Sequence, residues 1–408
     1  LRLNRRIFLG AAIAAGHAPL LAHAPAPAPI SGWTRTRGGD AGRVLRVTSL
    51  ASEGPGTLRA ALAATGPRRI VFAVGGVIDL ARKSLSIREP HVTIDGASAP
   101  SPGITLIRGG IGVSTHDVVI RHIRVRAGAD GAPPKSGWEV DGLSTSAAHD
   151  VIVDHCSFAW ATDENLSASG PRFAGGDTVE AWRQHTSRRI SFTQNIVAEG
   201  LAHSSHAKGE HSKGSLIHDN VTDVLIAGNL YAHNYERNQL FKGGSHALTA
   251  NNLIYDPGNR CMHYALNEEE WVGQPWTVGR LAIVGNVVRG GASTRADLPF
   301  LIVEGQGDLE LFERDNVYAL ADGRPMTRLC ILSNRDPKVI PLPRAPFWPA
   351  GFAARPAREV EAWVLAEAGA RPWDRDAIDK RIVAEVRSGK GRVIDDEREV
   401  GGYPTTTT

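Results

Sequence analysis

The sequence predicts an all-β chain: a right-handed, single-stranded parallel β-helix with a short N-terminal capping helix and a C-terminal helical extension. Three observations carry this. First, the segments "VVIRHIRV" (118–125), "VIVDHCSF" (151–158), "ISFTQNIV" (190–197), "VLIAGNLY" (224–231), "LTANNLIY" (248–255) and "LAIVGNVV" (281–288) share one template, an apolar alternation, a two-residue step and a second apolar pair. Second, Asn195, Asn229, Asn252 and Asn286 all fall in that step. Third, 44 Gly and 24 Pro among 408 residues make a turn-rich chain.

Short strands rich in Val, Ile and Leu bury their inward side chains only when stacked on the next unit. An amide recurring at one turn meets its counterpart one coil away, because stacked strands lie about 4.8 Å apart. The units are unequally spaced, so they are coils of similar core with loops of different length. A β-sandwich would space its strands more evenly and join them by Asn-Gly hairpins, which do not occur between these segments.

In chain order, residues 1–28 read as an export signal and a Pro/Ala linker. Arg2, Arg5 and Arg6 precede a Gly/Ala-rich apolar run too short to span a membrane. Arg5-Arg6 before Ile7-Phe8-Leu9 looks like a twin-arginine signal, and Ala22-His23-Ala24 fits a small-x-small cleavage site. This implies a bacterial protein that is secreted or periplasmic. The β-helix is expected over 38–322. At its start, "GTLRAALAATG" (56–66) places Leu58, Ala61 and Leu62 at helical spacing, suited to covering the open core of the first coil. Residues 323–408 are expected to hold two helices and a disordered tail. The first helix has Val360, Trp363 and Val364 on one face and the second Ile378, Ile382 and Val386, with Gly369 and Pro372 marking the break. They would pack along the outside of the solenoid or close its end.

Net charge is +3, so no global field points to nucleic acid or membrane. Cys156, Cys261 and Cys330 are too few and scattered for a disulfide framework or a metal site, and read as buried thiols. Local charge is more informative. "WEVDGLS" sets Glu139 and Asp141 at i and i+2, on one face if extended, and "WATDENLS" supplies Asp163, Glu164 and Ser167 one coil later. Stacked, these acids form either an oxygen-rich cup for a hard cation such as Ca²⁺ or a solvated acidic turn. "HSSHAKGEHSKGSLI" follows with His203, His206, Lys208, His211 and Lys213, and "YERNQLFKGG" with Arg237 and Lys242. The histidine spacing matches no standard zinc motif. Acids followed by bases suit an anionic polymer, with a cation bridging it to the carboxylates and Arg or Lys pairing with its acid groups.

These segments, with "TSLASEGPGTLRAAL", "RRIVFAVGGVIDL", "VDHCSFAWATDENLS", "HSKGSLI" and "YAHNYERNQLFKGG", resemble the bacterial pectate lyases of the parallel β-helix superfamily over roughly positions 45 to 320. The tail "GARPWDRDAIDKRIVAEV" is also similar to that of many bacterial members. The resemblance implies calcium-assisted β-elimination in polygalacturonate. It assigns Ca²⁺ ligation to Glu139, Asp141 and Asp163, with Glu164 a substitute where Ser167 replaces the fourth acid. It assigns substrate binding to Lys213 and Lys242, with Lys208 the alternative to Lys213, and proton abstraction to Arg237. Glu139 stands where the family usually has Asp, and Lys242 where it usually has Arg. The implied partner is an acidic polysaccharide and the implied state a monomer. Three rivals stay open: a hydrolase using the carboxylates alone, a non-catalytic polysaccharide-binding β-helix, and a lyase for another uronate polymer.

Overall fold

The computed structural model of the chain describes residues 29–405. Its strands wind into three parallel sheets, one of 11 strands and two of nine, with sheet neighbours drawn from successive coils of the chain. In the long sheet Val118, Val151, Ile190 and Val224 stand in register and point into a dry interior, each fully buried. This is the parallel β-helix expected from the repeat. Each template segment is a strand of the long sheet, a short step, and a strand of the third sheet; the step is two residues, as in Thr222–Ala227 followed by Leu230–Ala232, except in the first segment, where His122 alone separates His116–Arg121 from Ile123–Arg126.

The step is where the asparagines do their work. Asn195 Nδ2 donates to Asn229 Oδ1 at 3.0 Å, Asn229 to Asn252 and Asn252 to Asn286 at 2.9 Å each, and Asn286 to Asn316 at 3.2 Å. The residue before each, from Gln194 to Asp315, has φ between 52° and 69°. That left-handed residue turns the chain from one sheet to the next, and the asparagine satisfies the backbone groups the turn leaves unpaired.

Helix α1 (Leu58–Leu62) is shorter than the sequence pattern and places Leu58 and Leu62 in the main core, with Thr57 capping its first turn. Helix α2 (Val179–His185) interrupts the loop after the strand Leu166–Ser169 and buries Trp182 in the same core. Helices α3 (Ala357–Glu367) and α4 (Ala377–Ser388) lie along the outside of the third sheet. There Val360, Val364, Ile382 and Val386 cover Ile196, Leu230 and Leu253. An ionic cluster fixes α4: Asp379 receives Arg126 Nη2 at 2.6 Å and Ser157 Oγ at 2.7 Å, with every one of these side chains sealed from water.

Two expectations about the C-terminal part need correction. The strands Leu329–Leu332 and Val339–Pro341 continue two of the sheets, so the solenoid runs past 322. Nor is the segment up to residue 405 a disordered tail. The Glu397 carboxylate takes the backbone N–H of Ala129 and Asp130 at 3.0 and 3.2 Å, and the Tyr403 hydroxyl donates to the Ala127 carbonyl at 3.1 Å. Specific side chains rather than composition dock it. Cys156 and Cys261 are buried, while Cys330 is half-buried. The export-signal reading falls on residues 1–28, outside the described part. No helix among the described residues is long and apolar enough to cross a membrane.

Candidate active site

The charged segments meet over the second sheet, in the turns that lead into its strands Leu143–Ser146, Leu166–Ser169, Leu216–Ile217 and Leu240–Lys242. Backbone bridges put Glu164, Lys213 and Glu236 one above another. Such close stacking requires glycine at two places. A Cβ on Gly142 would lie 2.4 Å from the Asn165 carbonyl oxygen, and one on Gly214 equally close to that of Arg237. The result is a groove of 390 Å³ walled by Asp141, Asp163, Glu164, Ser167, Arg237 and Lys242, among others. A larger cavity of 450 Å³ where the terminal segments cross the long sheet shares none of these residues and has Arg355 as its single charged side chain.

Asp141, Asp163 and Glu164 form the acidic cup, each offering an oxygen within 4.8 Å of the others. Asp141 also takes the Glu164 backbone N–H at 3.1 Å. Its carboxyl is held well above the usual range, first by burial and then by the Asp163 charge. For Asp163, burial works the same way, but the nearby His211, His206 and Arg237 win and keep it below the usual range. Three crowded carboxylates offering oxygens to one point fit a hard cation. Ser167 stands beside Ser144 on the neighbouring strand, and its Oγ takes the Leu216 N–H at 3.1 Å.

Glu139 does not join the cup. Residues 131–142 form a loop without strand geometry, so the i, i+2 alternation does not apply. The exposed Glu139 carboxylate instead takes the Ala207 N–H at 3.2 Å and faces His206 Nε2 at 3.6 Å. His206 and His211 both face Asp163, with Nε2 at 3.6 and 3.4 Å from its oxygens. Their rings stack at 3.5 Å with planes 17° apart, and with Asp163 they form a second group whose potential ligand atoms lie within 4.8 Å of one another.

Arg237 sits in a left-handed backbone conformation, φ 53°, pinned because its carbonyl accepts the Ser215 N–H at 2.7 Å while Asn238 Nδ2 donates to the Asn234 and Arg260 carbonyls. Its guanidinium meets Glu164. Burial pulls it below the usual arginine range against the opposing charges of Asp163, Asp141 and Glu270. Lys242 is buried and meets Glu270. The two alternative lysines part company: Lys208 lies exposed on the groove wall, whereas Lys213 is buried and donates to Glu236 Oε2 at 2.5 Å. Glu236 is also held by Arg260, which reaches on to Glu304 at 2.6 Å. Arg172 and Glu270 line this groove and carry no sequence pattern that would mark them.

A parallel β-helix whose groove sets carboxylates against arginine and lysine is compatible with a polysaccharide lyase, the class in which the chain's relatives fall. The chain is 31% identical over 375 residues to a probable pectate lyase C of Neosartorya fischeri, matching 90% of this chain and 78% of the relative. It is 30% identical over 378 residues, with the same coverage, to one from Aspergillus fumigatus. It belongs to the pectate lyase family. These relatives are fungal, so they do not carry the bacterial part of the resemblance. No family model matches the chain. Among solved structures, the cedar pollen allergen Jun a 1 superposes with a TM-score of 0.55 at 15% identity, over 82% of this chain and 90% of that one. A pectate lyase from a Bacillus species, in complex with trigalacturonate, superposes with a TM-score of 0.50 at 13% identity, over 82% and 95%. At these identities the structures support the fold alone.

Proposed function

We propose that the protein is a secreted, monomeric pectate lyase that cleaves polygalacturonate by calcium-assisted β-elimination, leaving a 4,5-unsaturated end on the product. The observation that carries this reading is Arg237, a guanidinium drawn from water and set on a rigid turn facing the acidic cup. Elimination removes the C5 proton, α to the sugar carboxylate, and expels the C4 glycosidic oxygen. Such a weak carbon acid needs a strong base, and burial favours the neutral guanidine that can act as one. An incoming sugar that parts Arg237 from Glu164 removes the nearest anion holding the proton on it. Lys242 and Lys208 pair with substrate carboxylates, and Lys213 does so once released from Glu236. Asp141, Asp163 and Glu164 are the residues that would hold Ca²⁺, with Ser167 beside them. Bound there, Ca²⁺ supplies positive charge where negative charge builds on the sugar carboxylate. Export by the Arg5-Arg6 segment would bring the enzyme to its polymer.

The test is incubation with polygalacturonate and Ca²⁺, followed by ultraviolet absorbance of the conjugated end group and repeated with a chelator. Absorbance that chelation abolishes is expected. New reducing ends without absorbance would mean hydrolysis, and binding without cleavage of any uronate polymer would leave a carbohydrate-binding protein.

A further inference from the structure

Besides Arg237 and Lys242, the groove presents a third fixed cation, Arg172, three residues beyond the strand Leu166–Ser169. Its Nε donates to Asp219 Oδ2 at 2.8 Å, and Asp219 is fully buried. The other oxygen of Asp219 receives the Trp271 indole N–H at 2.9 Å. Next in sequence to Arg172, Phe173 packs edge-on against Trp182 and Trp271, with ring centroids 4.9 and 5.0 Å away. A water-free carboxylate and an aromatic cluster therefore set the guanidinium in place, with Nη2 facing the groove. There Nη2 lies 3.1 Å from Glu270 Oε1, while the other Glu270 oxygen meets Lys242 Nζ.

Glu270 ends the single turn Glu268–Glu270, just before the anchored Trp271. Its side chain is 32% exposed, so it can swing into solvent without moving the core. One carboxylate spanning an arginine and a lysine at a groove wall is the arrangement that an acidic sugar would need.

We propose that Arg172 and Lys242 form a subsite for the carboxylate of a hexuronate unit, and that Glu270 is the chain's own carboxylate resting there until a sugar displaces it. This rests on the pectate lyase reading and deepens it. Partly exposed ion pairs are weak, so a polymer carboxylate arriving with other contacts displaces Glu270 at little cost. The subsite selects charged over esterified units, because a methyl ester offers no anion to the pair.

The experiment compares wild type with Arg172→Ala, Arg172→Lys and Glu270→Gln on polygalacturonate and on highly methyl-esterified pectin, with oligogalacturonate binding measured by calorimetry. Arg172→Ala should raise KM about tenfold or more, as expected for losing a hydrogen bond between charged groups, with the loss in KM rather than kcat. Arg172→Lys should recover part of it, and the penalty should shrink on esterified pectin. Glu270→Gln, on an exposed turn outside the core, should lower KM and tighten oligogalacturonate binding even if Arg172→Ala fails to fold. Unchanged KM and binding in Arg172→Ala, or weaker binding in Glu270→Gln, overturns the subsite while a cleaving wild type keeps the lyase reading. A wild type that binds oligogalacturonate through Arg172 but never cleaves it overturns the lyase reading and keeps the subsite. A wild type that neither binds nor cleaves overturns both.

Discussion

Replacing Asn229 with Ala tests the stacking argument at its most buried point. The side chain is fully buried, and its Oδ1 takes the Asn195 backbone N–H at 2.9 Å and Asn195 Nδ2 at 3.0 Å. Its Nδ2 donates to the Phe192 carbonyl and to Asn252 Oδ1, both at 2.9 Å. All of these bonds vanish in Asn229→Ala, and the partners they leave have no water to turn to. At a net worth of about 1 kcal/mol per bond, and more for a stranded donor, the loss comes to about 4 kcal/mol. Asn316→Ala is the internal comparison. Asn316 is only half-buried at the end of the ladder, and water can replace its bonds to Asn286 and to the Ile283 carbonyl, so about 1 kcal/mol is expected there. Urea unfolding followed by tryptophan fluorescence reads both, provided the denaturant slope stays the same. Equal losses in the two variants would refute the claim that the ladder stabilises the solenoid through buried amide pairing.

Other consequences can be checked separately. Arg237→Gln should cut elimination by about 100- to 10,000-fold, the range for losing a positioned base, and a rate within tenfold of wild type would remove Arg237 from that role. Asp379→Asn should cost about 3 to 5 kcal/mol, because Arg124 and Arg126 keep only the partly exposed Asp376 as a carboxylate partner; an unchanged melting temperature would show that the cluster does not hold α4. Glu236 predicts a pH dependence. Burial alone would raise its pKa, but the charge and hydrogen bond of Lys213, then Arg260 and Asn259, hold it at about 2 against an ordinary 4.5. A depressed carboxyl pKa gives stability that is complete above the unfolded value and is lost as pH falls from 4.5 toward 2, in total about 3 kcal/mol. Glu236→Gln should therefore flatten the acid limb of the stability curve in that window, and a limb as steep as that of wild type would show that the pair contributes little.

The coils were legible where inward positions are filled by Val, Ile and Leu and where asparagine marks the turn. They faded at "LFERDNVY", whose second strand, Val317–Ala319, ends its sheet with no neighbour beyond it. There Asn316 completes the ladder, while Glu313 and Arg314 break the apolar alternation. Arg124 and Arg126 show the opposite case. They alternate with Ile123 and Val125 as outward residues should, yet both are fully buried, because α4 brings Asp379 onto them from some 250 residues away. Periodicity reports which face a side chain takes and says nothing of what a later segment will lay over that face.

The same distinction separates the parts of the groove that could be read from those that could not. Arg237, Lys242 and Asp163 sit in turns or strands of the repeat, so stacking alone brings them together, and Asp141 is placed by the strand Leu143–Ser146 that starts two residues after it. Glu139 lies in a loop outside the repeat, and there the two-residue alternation misplaced it. Arg172 and Glu270 come from loops of unrelated length and meet because one buried carboxylate, Asp219, receives both the Arg172 side chain and the Trp271 indole beside Glu270. Asp219 is fully buried, yet it sets where the cation stands and where the displaceable anion is tethered. The coil fixes the chemistry of the groove floor, and buried polar anchors of this kind decide which loops form its walls.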